Sequence, residues 1–216
     1  MRRRVLIAGA TGLVGRHLLQ LLLDDPEIVN VVALTRRPLA IPHPQLTEAL
    51  VDFAHLEDFA APPVDDYFCC LGTTIRQAGS REAFREVDLF YPVAIARMAL
   101  AAGATRCYFV SALGADATSR VFYNRTKGEL EAELARLPFR TVVAMRPSLL
   151  AGERAEFRTG ERLALAALRP LSALLPARYR PIDARLVARA LLAASRTSEA
   201  GRFVVDSEAI RRLAVA

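Results

Sequence analysis

A tyrosine and a lysine lie four residues apart in the middle of this chain, at Tyr123 and Lys127. If the segment is helical, both side chains project from one face and can reach one ligand together. A cation beside a tyrosine favours the phenolate, which suits a tyrosine that donates a proton to a substrate. Lys127 is the only lysine among 29 basic residues, the others being arginine. The spacing therefore predicts a proton donor and its activator; the alternative is a surface helix face where Lys127 lies near Glu129 and Glu131.

A serine ends an apolar run upstream of this pair. Ser111 follows the run Cys107 to Val110 and lies twelve residues before Tyr123. In open parallel α/β sheets, ligands bind beyond the carboxyl ends of the strands. We therefore expect the Ser111 hydroxyl to donate a hydrogen bond to a substrate carbonyl beside Tyr123, although alone it would be an ordinary strand-end serine.

A glycine-rich turn follows the first apolar run and precedes the first helical pattern, with the sequence Gly9-Ala10-Thr11-Gly12-Leu13-Val14-Gly15. In this context the first glycine permits a sharp turn, the second lets backbone approach a pyrophosphate, and the third lets the helix pack closely. The N–H groups at the start of the helix attract the phosphate charge. The turn predicts a dinucleotide site; the alternative is a tight βα turn without a ligand.

The residues after the second apolar run bear on which dinucleotide binds. About twenty residues beyond the glycines, an NAD site places an acidic residue on the ribose 2′-hydroxyl. This chain has Thr35, Arg36 and Arg37 there. Because arginine pairs with a phosphate through a planar fork of donors, we predict NADP rather than NAD. The alternative is two solvated arginines in a loop.

Unbroken apolar runs alternate with helical patterns along the chain, and these elements must position the residues above. The predicted strands are Val5–Ala8, Ile28–Leu34, Ala49–Val51, Tyr67–Leu71, Cys107–Val110, Thr141–Met145 and Arg202–Val205. One predicted helix follows the glycine turn. The others are Ser80–Ala102, Phe122–Leu137 and Asp183–Ala194, and Pro92 should kink or split the first of these three. This alternation predicts an α/β fold with a doubly wound parallel sheet. We expect one domain over residues 1–216, with a small, arginine-rich helical cap at residues 149–182.

Composition excludes several classes of protein. Hydrophobic residues make up 53% of the chain and charged residues 24%, which is typical of a folded soluble domain. The net charge is +6, but the arginines are scattered without a basic stripe, so nucleic acid is not expected as the main partner. Three cysteines without CxxC spacing and three separate histidines predict no metal and a reducing, cytoplasmic location. No apolar run is long enough for a membrane span.

The glycine turn, the strand-end serine and the YxxxK pair, in this order, resemble the short-chain dehydrogenase/reductase superfamily of Rossmann-fold proteins over nearly the whole chain. The stretches "YFCCLGTT" and "FVSALGAD", with the short C-terminal part, resemble its atypical branch near the HIV Tat-interacting protein. The resemblance implies that Tyr123 is the proton donor, Lys127 its activator and a ribose ligand, and Ser111 the substrate anchor. It also implies a set of cofactor contacts: Gly9, Thr11, Gly12, Leu13, Val14 and Gly15 at the pyrophosphate, Arg36 and Arg37 at the 2′-phosphate, Asp52 and Phe53 near the adenine, Leu71, Gly72 and Thr73 along the cofactor, and Arg146, Pro147 and Ser148 at the nicotinamide.

The chain departs from its relatives in two places. Ser111 is followed by Ala112 where relatives often have a second hydroxyl residue, and the part after Ser148 is too short for a large substrate domain. Our first hypothesis is an NADPH-dependent oxidoreductase that reduces a carbonyl of a small, partly apolar substrate. The second is an NADP(H)-binding regulatory or scaffold protein without significant turnover. The short cap disfavours a third, epimerase or dehydratase chemistry on a nucleotide sugar. Family analogy also suggests a homodimer through the helices Ser80–Ala102 and Phe122–Leu137.

Overall fold

The computed structural model describes residues 2–56, 59–151, 176–196 and 199–215. The strands in these ranges are β1 (Arg3–Ala8), β2 (Ile28–Thr35), β3 (Leu46–Leu50), β4 (Asp66–Cys69), β5 (Arg106–Val110), β6 (Thr141–Arg146), β7 (Leu150–Ala151), β8 (Ile182–Asp183) and β9 (Gly201–Asp206). The helices are α1 (Gly15–Leu23), α2 (Ile75–Ala78), α3 (Arg81–Arg85), α4 (Tyr91–Ala101), α5 (Phe122–Arg136), α6 (Ala184–Arg196) and α7 (Ser207–Leu213). A π-helical turn, Glu86–Phe90, joins α3 to α4, and a 3-10 turn covers Ala177–Tyr179. Most of the predicted cap, residues 149–182, lies outside the described residues.

Seven of the strands form one parallel sheet in the order β3-β2-β1-β4-β5-β6-β9, and β7 pairs with β8 in a separate parallel pair. The chain builds the sheet outward from β1 to β3 and then returns to place β4 on the other side of β1. The predicted doubly wound parallel sheet is therefore confirmed. Because the winding reverses between β1 and β4, a crevice opens beyond the carboxyl ends of these two strands.

The central strands of the sheet bury both of their faces, because helices cover the two sides, whereas the edge strands β3 and β9 are largely exposed. In β1, Val5 and Ile7 belong to one core and Leu6 and Ala8 to the other, and all four are fully buried. The first core contains α1, α6 and α7, with Leu18, Leu22, Val187, Leu191 and Ile210. The second contains α4 and α5, with Ile95, Ala99, Leu130 and Leu134. This burial on both faces explains why the strands are continuous apolar runs rather than alternating ones.

The long helix predicted from Ser80 to Ala102 is divided. Ser80 caps its start by accepting a hydrogen bond from the backbone N–H of Ala83 at 3.1 Å, as its residue type predicts. Pro92 then lies in the first turn of α4, where its missing N–H is tolerated, and the π-helical turn comes just before it. No helix within the described ranges is both long and apolar enough to cross a bilayer.

Candidate active site and cofactor site

The glycine turn lies at the carboxyl end of β1, against the residues that follow β4. Gly9 has a φ of +83°, and a Cβ there would lie 2.5 Å from the backbone carbon of Cys70. A Cβ on Gly15 would lie 2.0 Å from the carbonyl oxygen of Gly9, whereas one on Gly12 would be 3.3 Å from that oxygen. The first and third glycines are therefore required by the packing itself. They leave a cradle of bare backbone at the start of α1, which fits a pyrophosphate.

The residues predicted for the adenosine end lie together beyond β2 and β3. Arg36 and Arg37 are exposed, and Thr35 Oγ1 donates a 2.6 Å hydrogen bond to the carbonyl of Arg37. The ring of Phe53 packs against Tyr91 with centroids 5.7 Å apart. Burial, followed by the charges of Glu86 and Asp52, raises the pKa of Tyr91, while Arg36 opposes the rise. Arg36 and Asp52 are thus both close enough to Tyr91 to act on it.

Helix α5 carries the predicted catalytic pair on one face. Tyr123, Lys127 and Glu131 follow one another at intervals of four residues. The ring of Tyr123 packs against Phe84 at 5.7 Å, and the side chain is 36% exposed. The side chain of Lys127 is 4% exposed. The helix therefore presents a partly exposed phenol one turn away from a buried ammonium group, as the spacing predicted.

Lys127 is held by an acid that the sequence did not single out. Its Nζ lies 2.6 Å from Oδ1 of Asp88, whose side chain is 1% exposed. The other oxygen, Oδ2, accepts a 2.8 Å hydrogen bond from the backbone N–H of Thr73. Burial opposes the charge on Lys127, but its attraction to Asp88, then to Tyr123, and the hydrogen bond to Asp88 together raise its pKa. The lysine is therefore an ammonium ion throughout the physiological range.

Ser111 lies at the carboxyl end of β5, as predicted, but its hydroxyl already has a partner. It donates a hydrogen bond to Oε1 of Glu131 on α5. Glu131 in turn accepts two hydrogen bonds from Arg146 at the end of β6, from Nε at 2.9 Å and from Nη2 at 2.6 Å. The pKa of the Arg146 guanidinium is raised, chiefly by its hydrogen bond to Glu131, although burial opposes the rise. The predicted substrate anchor thus donates to a carboxylate rather than into open space.

A glycine beside the lysine lets the β5–α5 loop lie against the helix. A Cβ on Gly128 would be 2.1 Å from the backbone nitrogen of Ala117 and 2.2 Å from the carbonyl carbon of Asp116. The backbone N–H of Asp116 also donates to the carbonyl of Asn124 at 3.1 Å. This loop connects the strand that carries Ser111 to the helix that carries Tyr123. The close approach at Gly128 therefore lets this loop lie directly against α5.

A cavity of about 490 Å³ lies between these elements. Its lining has no charged side chain among the described residues; it consists of Thr73, Thr74, Ser111, Ala112, Leu113, Tyr123, Pro147, Ser148, Leu149, Leu150 and Tyr179. Six of these carry hydroxyl groups, and the others are apolar. The Ser148 hydroxyl donates to the carbonyl of Arg180 and lies 3.0 Å from the hydroxyl of Ser207. The structure thus brings Ser111 and Tyr123 to one cavity, with Thr73, Pro147 and Ser148 at its wall.

Three residues of this site were not identified from the sequence. Glu131 continues the spacing of Tyr123 and Lys127 by four more residues, so the same helical period could have found it. Asp88 is an acid within an apolar helical stretch, which is a signal for a buried partner. Gly128 gave no signal of its own, because its packing against the β5–α5 loop is visible only in three dimensions.

Comparisons with known proteins identify the family to which the chain belongs. A family model described as the NAD dependent epimerase/dehydratase family matches residues 5–202. Protein HTATIP2 of Rattus norvegicus is 36% identical over 168 residues, which span 75% of this chain and 69% of that protein. Protein fmp52, mitochondrial, of Aspergillus clavatus is 32% identical over 220 residues, 95% of this chain and 92% of that protein.

Solved structures show the same fold. MoeE5 in complex with UDP-glucose and NAD superposes with a TM-score of 0.69 at 21% identity, covering 94% of this chain and 75% of that one. A short chain dehydrogenase family protein from Francisella tularensis superposes with a TM-score of 0.68 at 12% identity, covering 97% and 99%. The family match and the glycine cradle support a nicotinamide dinucleotide as the cofactor. The chain belongs to the NAD dependent epimerase/dehydratase family, in the branch that contains HTATIP2 and FMP52.

Proposed function

We propose that this protein is an NADPH-dependent oxidoreductase that reduces a carbonyl group of a small, partly apolar molecule. The observation that carries the proposal is the position of Tyr123, which lines the cavity and lies one helical turn from the buried ammonium group of Lys127. Among the described residues, nothing makes a hydrogen bond with the Tyr123 hydroxyl. A proton donor that faces a cavity, with a fixed cation behind it, suits protonation of a developing alkoxide.

The cofactor would be held by backbone and by charge. The cradle between Gly9 and Gly15 would take the pyrophosphate, and Arg36 and Arg37 would pair with the 2′-phosphate that distinguishes NADP from NAD. The bound cofactor would supply the hydride. Gly72, which lies next to both Lys127 and Asp88, would run along it.

The chain's own residues divide the remaining work. Tyr123 would donate its proton to the substrate oxygen, and Lys127 would stabilise the phenolate that is left behind. The apolar residues of the lining and the absence of charged side chains among its described members favour a neutral substrate with some apolar surface. Ser111 could donate to the substrate only by turning its hydroxyl away from Glu131.

That last contact favours a second candidate, an NADP(H)-binding regulatory or scaffold protein without significant turnover. If the Ser111 hydroxyl stays on Glu131, the substrate carbonyl lacks one of its two expected donors. The cofactor cradle would then serve to sense the cofactor rather than to use it.

The test begins with NADPH and NADH binding measured side by side, followed by a screen of aldehydes and ketones with the wild type and Tyr123→Phe. We expect tighter binding of NADPH, and a turnover that falls about 100-fold or more in Tyr123→Phe without loss of NADPH binding. A preference for NADH would contradict the role of Arg36 and Arg37. Equal turnover in the variant would refute the catalytic role of Tyr123. If no carbonyl compound is reduced while the cofactor changes affinity for a partner protein, the second candidate is correct.

Two further sequence predictions belong to this proposal. We propose a homodimer through α4 and α5, which mass determination in solution would test. We also propose a cytoplasmic location, to be tested by fractionation of the cells that make the protein, since the names of the fungal relatives place those proteins in mitochondria.

A further inference from the structure

Asp88 reaches the site through an irregularity in its helix. The segment between α3 and α4 is a π-helical turn, Glu86–Phe90, with Asp88 at its centre. A π-helical turn holds one more residue than an α-helical turn, and such turns are frequent at functional sites. Here the turn leaves Asp88 buried beside Leu89, facing the end of β4 rather than solvent.

The carboxylate of Asp88 faces two donors that come from different elements. Oδ1 lies 2.6 Å from Nζ of Lys127, and Oδ2 accepts from the backbone N–H of Thr73 at 2.8 Å. A side chain of this size satisfies both donors only if both of its terminal atoms are acceptors. An asparagine would point its amide hydrogens at one of them. The site therefore requires an aspartate here, rather than a polar residue in general.

We propose that Asp88 is a positioning residue for the reaction, which holds the Lys127 ammonium beside Tyr123 and ties it to the segment along the cofactor. The second part of this role follows from Gly72, since a Cβ there would lie 3.5 Å from Oδ1 of Asp88 and 3.9 Å from Nζ of Lys127. The inference rests on the proposed function and deepens it, because it assigns the group that sets the charge and place of the activating lysine.

The physical need for such a group is clear from the properties of lysine. Its ammonium is strongly hydrated and sits on a flexible stem of four carbons, and in a buried site its charge is lost or the side chain turns to water. Lys127 is 4% exposed, so water does not hold it. The titratable groups that act on it are Asp88 on the π-helical turn, Tyr123 on its own helix and Cys69 on β4. Of these, Asp88 has the largest effect in keeping the amine protonated.

The first test does not depend on turnover, because Lys127 is the only lysine of the chain. Protein made with 13Cε-labelled lysine gives one side-chain resonance, whose shift reports the ionisation of Lys127 directly. In the wild type we expect it to titrate above pH 10.5, the ordinary value. In Asp88→Asn we expect the midpoint to fall, because burial then acts without the carboxylate, whereas Asp88→Glu, which keeps two acceptor oxygens, restores it in part. An unchanged midpoint in Asp88→Asn would overturn the proposal.

The second test asks whether Asp88 acts through Lys127. We expect Asp88→Asn to lower kcat by about 10- to 100-fold, as small displacements of catalytic groups do, with little change in NADPH affinity. In a Lys127→Met background the same change should lower kcat no further. Equal losses in both backgrounds, or a full kcat in Asp88→Asn, would refute the positioning role. Arg3→Met breaks the buried ion pair between Arg3 and Asp66, at the amino ends of β1 and β4 and away from the cavity, and serves as the control: its melting temperature should fall, but its kcat should not.

The two tests separate this inference from the proposed function. If no carbonyl compound is reduced, the proposed function fails, and the lysine titration still decides whether Asp88 holds the charge of Lys127. If Asp88→Asn does not fold, the Asp88→Asn/Lys127→Met double variant, which removes both charges of the pair, is compared with Lys127→Met alone. A kcat in the double variant well below that of Lys127→Met would then overturn the proposal.

Discussion

The two ends of the central strands both hold buried ion pairs, but in different arrangements. At the amino end, Asp66 is fully buried and accepts hydrogen bonds from Arg3 at 2.8 Å and from Arg106. Both arginines also donate to the carbonyl of Ser195, at 3.0 and 3.4 Å, so the network joins β1, β4, β5 and α6. At the carboxyl end, the pair of Lys127 and Asp88 adjoins a tyrosine that faces a cavity.

Neither a cavity nor a buried charge distinguishes the two ends. The amino end also has a cavity, of about 440 Å³ compared with about 490 Å³, and arginines line it. Its buried charges bind one another and a helix end, which is a structural role. Each end has a phenol beside its held charges, but Tyr108 at the amino end is fully buried, whereas Tyr123 at the carboxyl end is partly exposed and lines a cavity. The two ends therefore differ in whether a proton-carrying group next to a held charge can reach a ligand, rather than in the charge alone.

The largest effect is expected from Gly15→Ala, at the carboxyl end. Its Cβ would lie 2.0 Å from the carbonyl oxygen of Gly9, so the turn that cradles the pyrophosphate must shift. Overpacking by this amount costs about 1–3 kcal/mol, and we expect the Kd for NADPH to rise by roughly 100-fold in titration calorimetry. Gly103→Ala is the control, because Gly103 has a φ of +97° and lies near Val64, away from the cradle, so the substitution strains the backbone without touching the cofactor site. It should lower stability and leave the Kd for NADPH unchanged, and an unchanged Kd in Gly15→Ala would contradict the cradle.

Arg3→Met, at the amino end, is expected to lower stability without changing NADPH affinity. It removes hydrogen bonds to Asp66 and to the carbonyl of Ser195, and bonds to a charged group contribute about 1.5–3 kcal/mol each. Urea unfolding should show a loss of this size in the free energy of unfolding, while NADPH affinity stays unchanged. A fall in NADPH affinity as large as that in Gly15→Ala would break the division between a structural end and a binding end.

The stability loss in Arg3→Met should depend on pH. Burial raises the pKa of Asp66 above 3.8, although Arg106 and Arg3 oppose the rise, and loss of Arg3 would raise it further. A carboxyl whose folded pKa is raised contributes stability at low pH that is lost as the pH rises through the folded value. Because the folded pKa of Asp66 is higher in the variant, the variant loses more stability than the wild type as the pH rises. The difference in unfolding free energy between wild type and variant should therefore widen from acid to neutral pH. A gap that narrows over this range would show that Asp66 is not the affected group.

The smallest effect is expected from Arg36→Ala, at the rim of the carboxyl end. Arg36 is exposed, so a charge-assisted hydrogen bond to a 2′-phosphate is screened by water. We expect NADPH affinity to fall about tenfold and NADH affinity to stay the same, measured by cofactor fluorescence. A parallel loss for both cofactors would mean that Arg36 supports the fold of the loop instead of reading the phosphate.

Much of the fold could be predicted from the sequence, because its signals are local. A strand buried on both faces is an unbroken apolar run, and β1, β2, β5 and β6 were visible as such. The pair β7 and β8 was not, since each strand has two residues and exists only through its partner. The short helix α7 was also missed, although Asp206 caps it by accepting from the backbone N–H of Ala209 at 2.8 Å.

For the site, residue spacing was enough to predict the glycine turn and the placing of Tyr123 and Lys127 on one helix face. Both follow from spacing within a single turn or helix, which the backbone geometry sets without help from the rest of the chain. The pairing of Lys127 with Asp88, and of Glu131 with both Ser111 and Arg146, became visible only in three dimensions. Those partners lie on other elements or at distant positions, and burial rather than sequence distance selects which charges must meet.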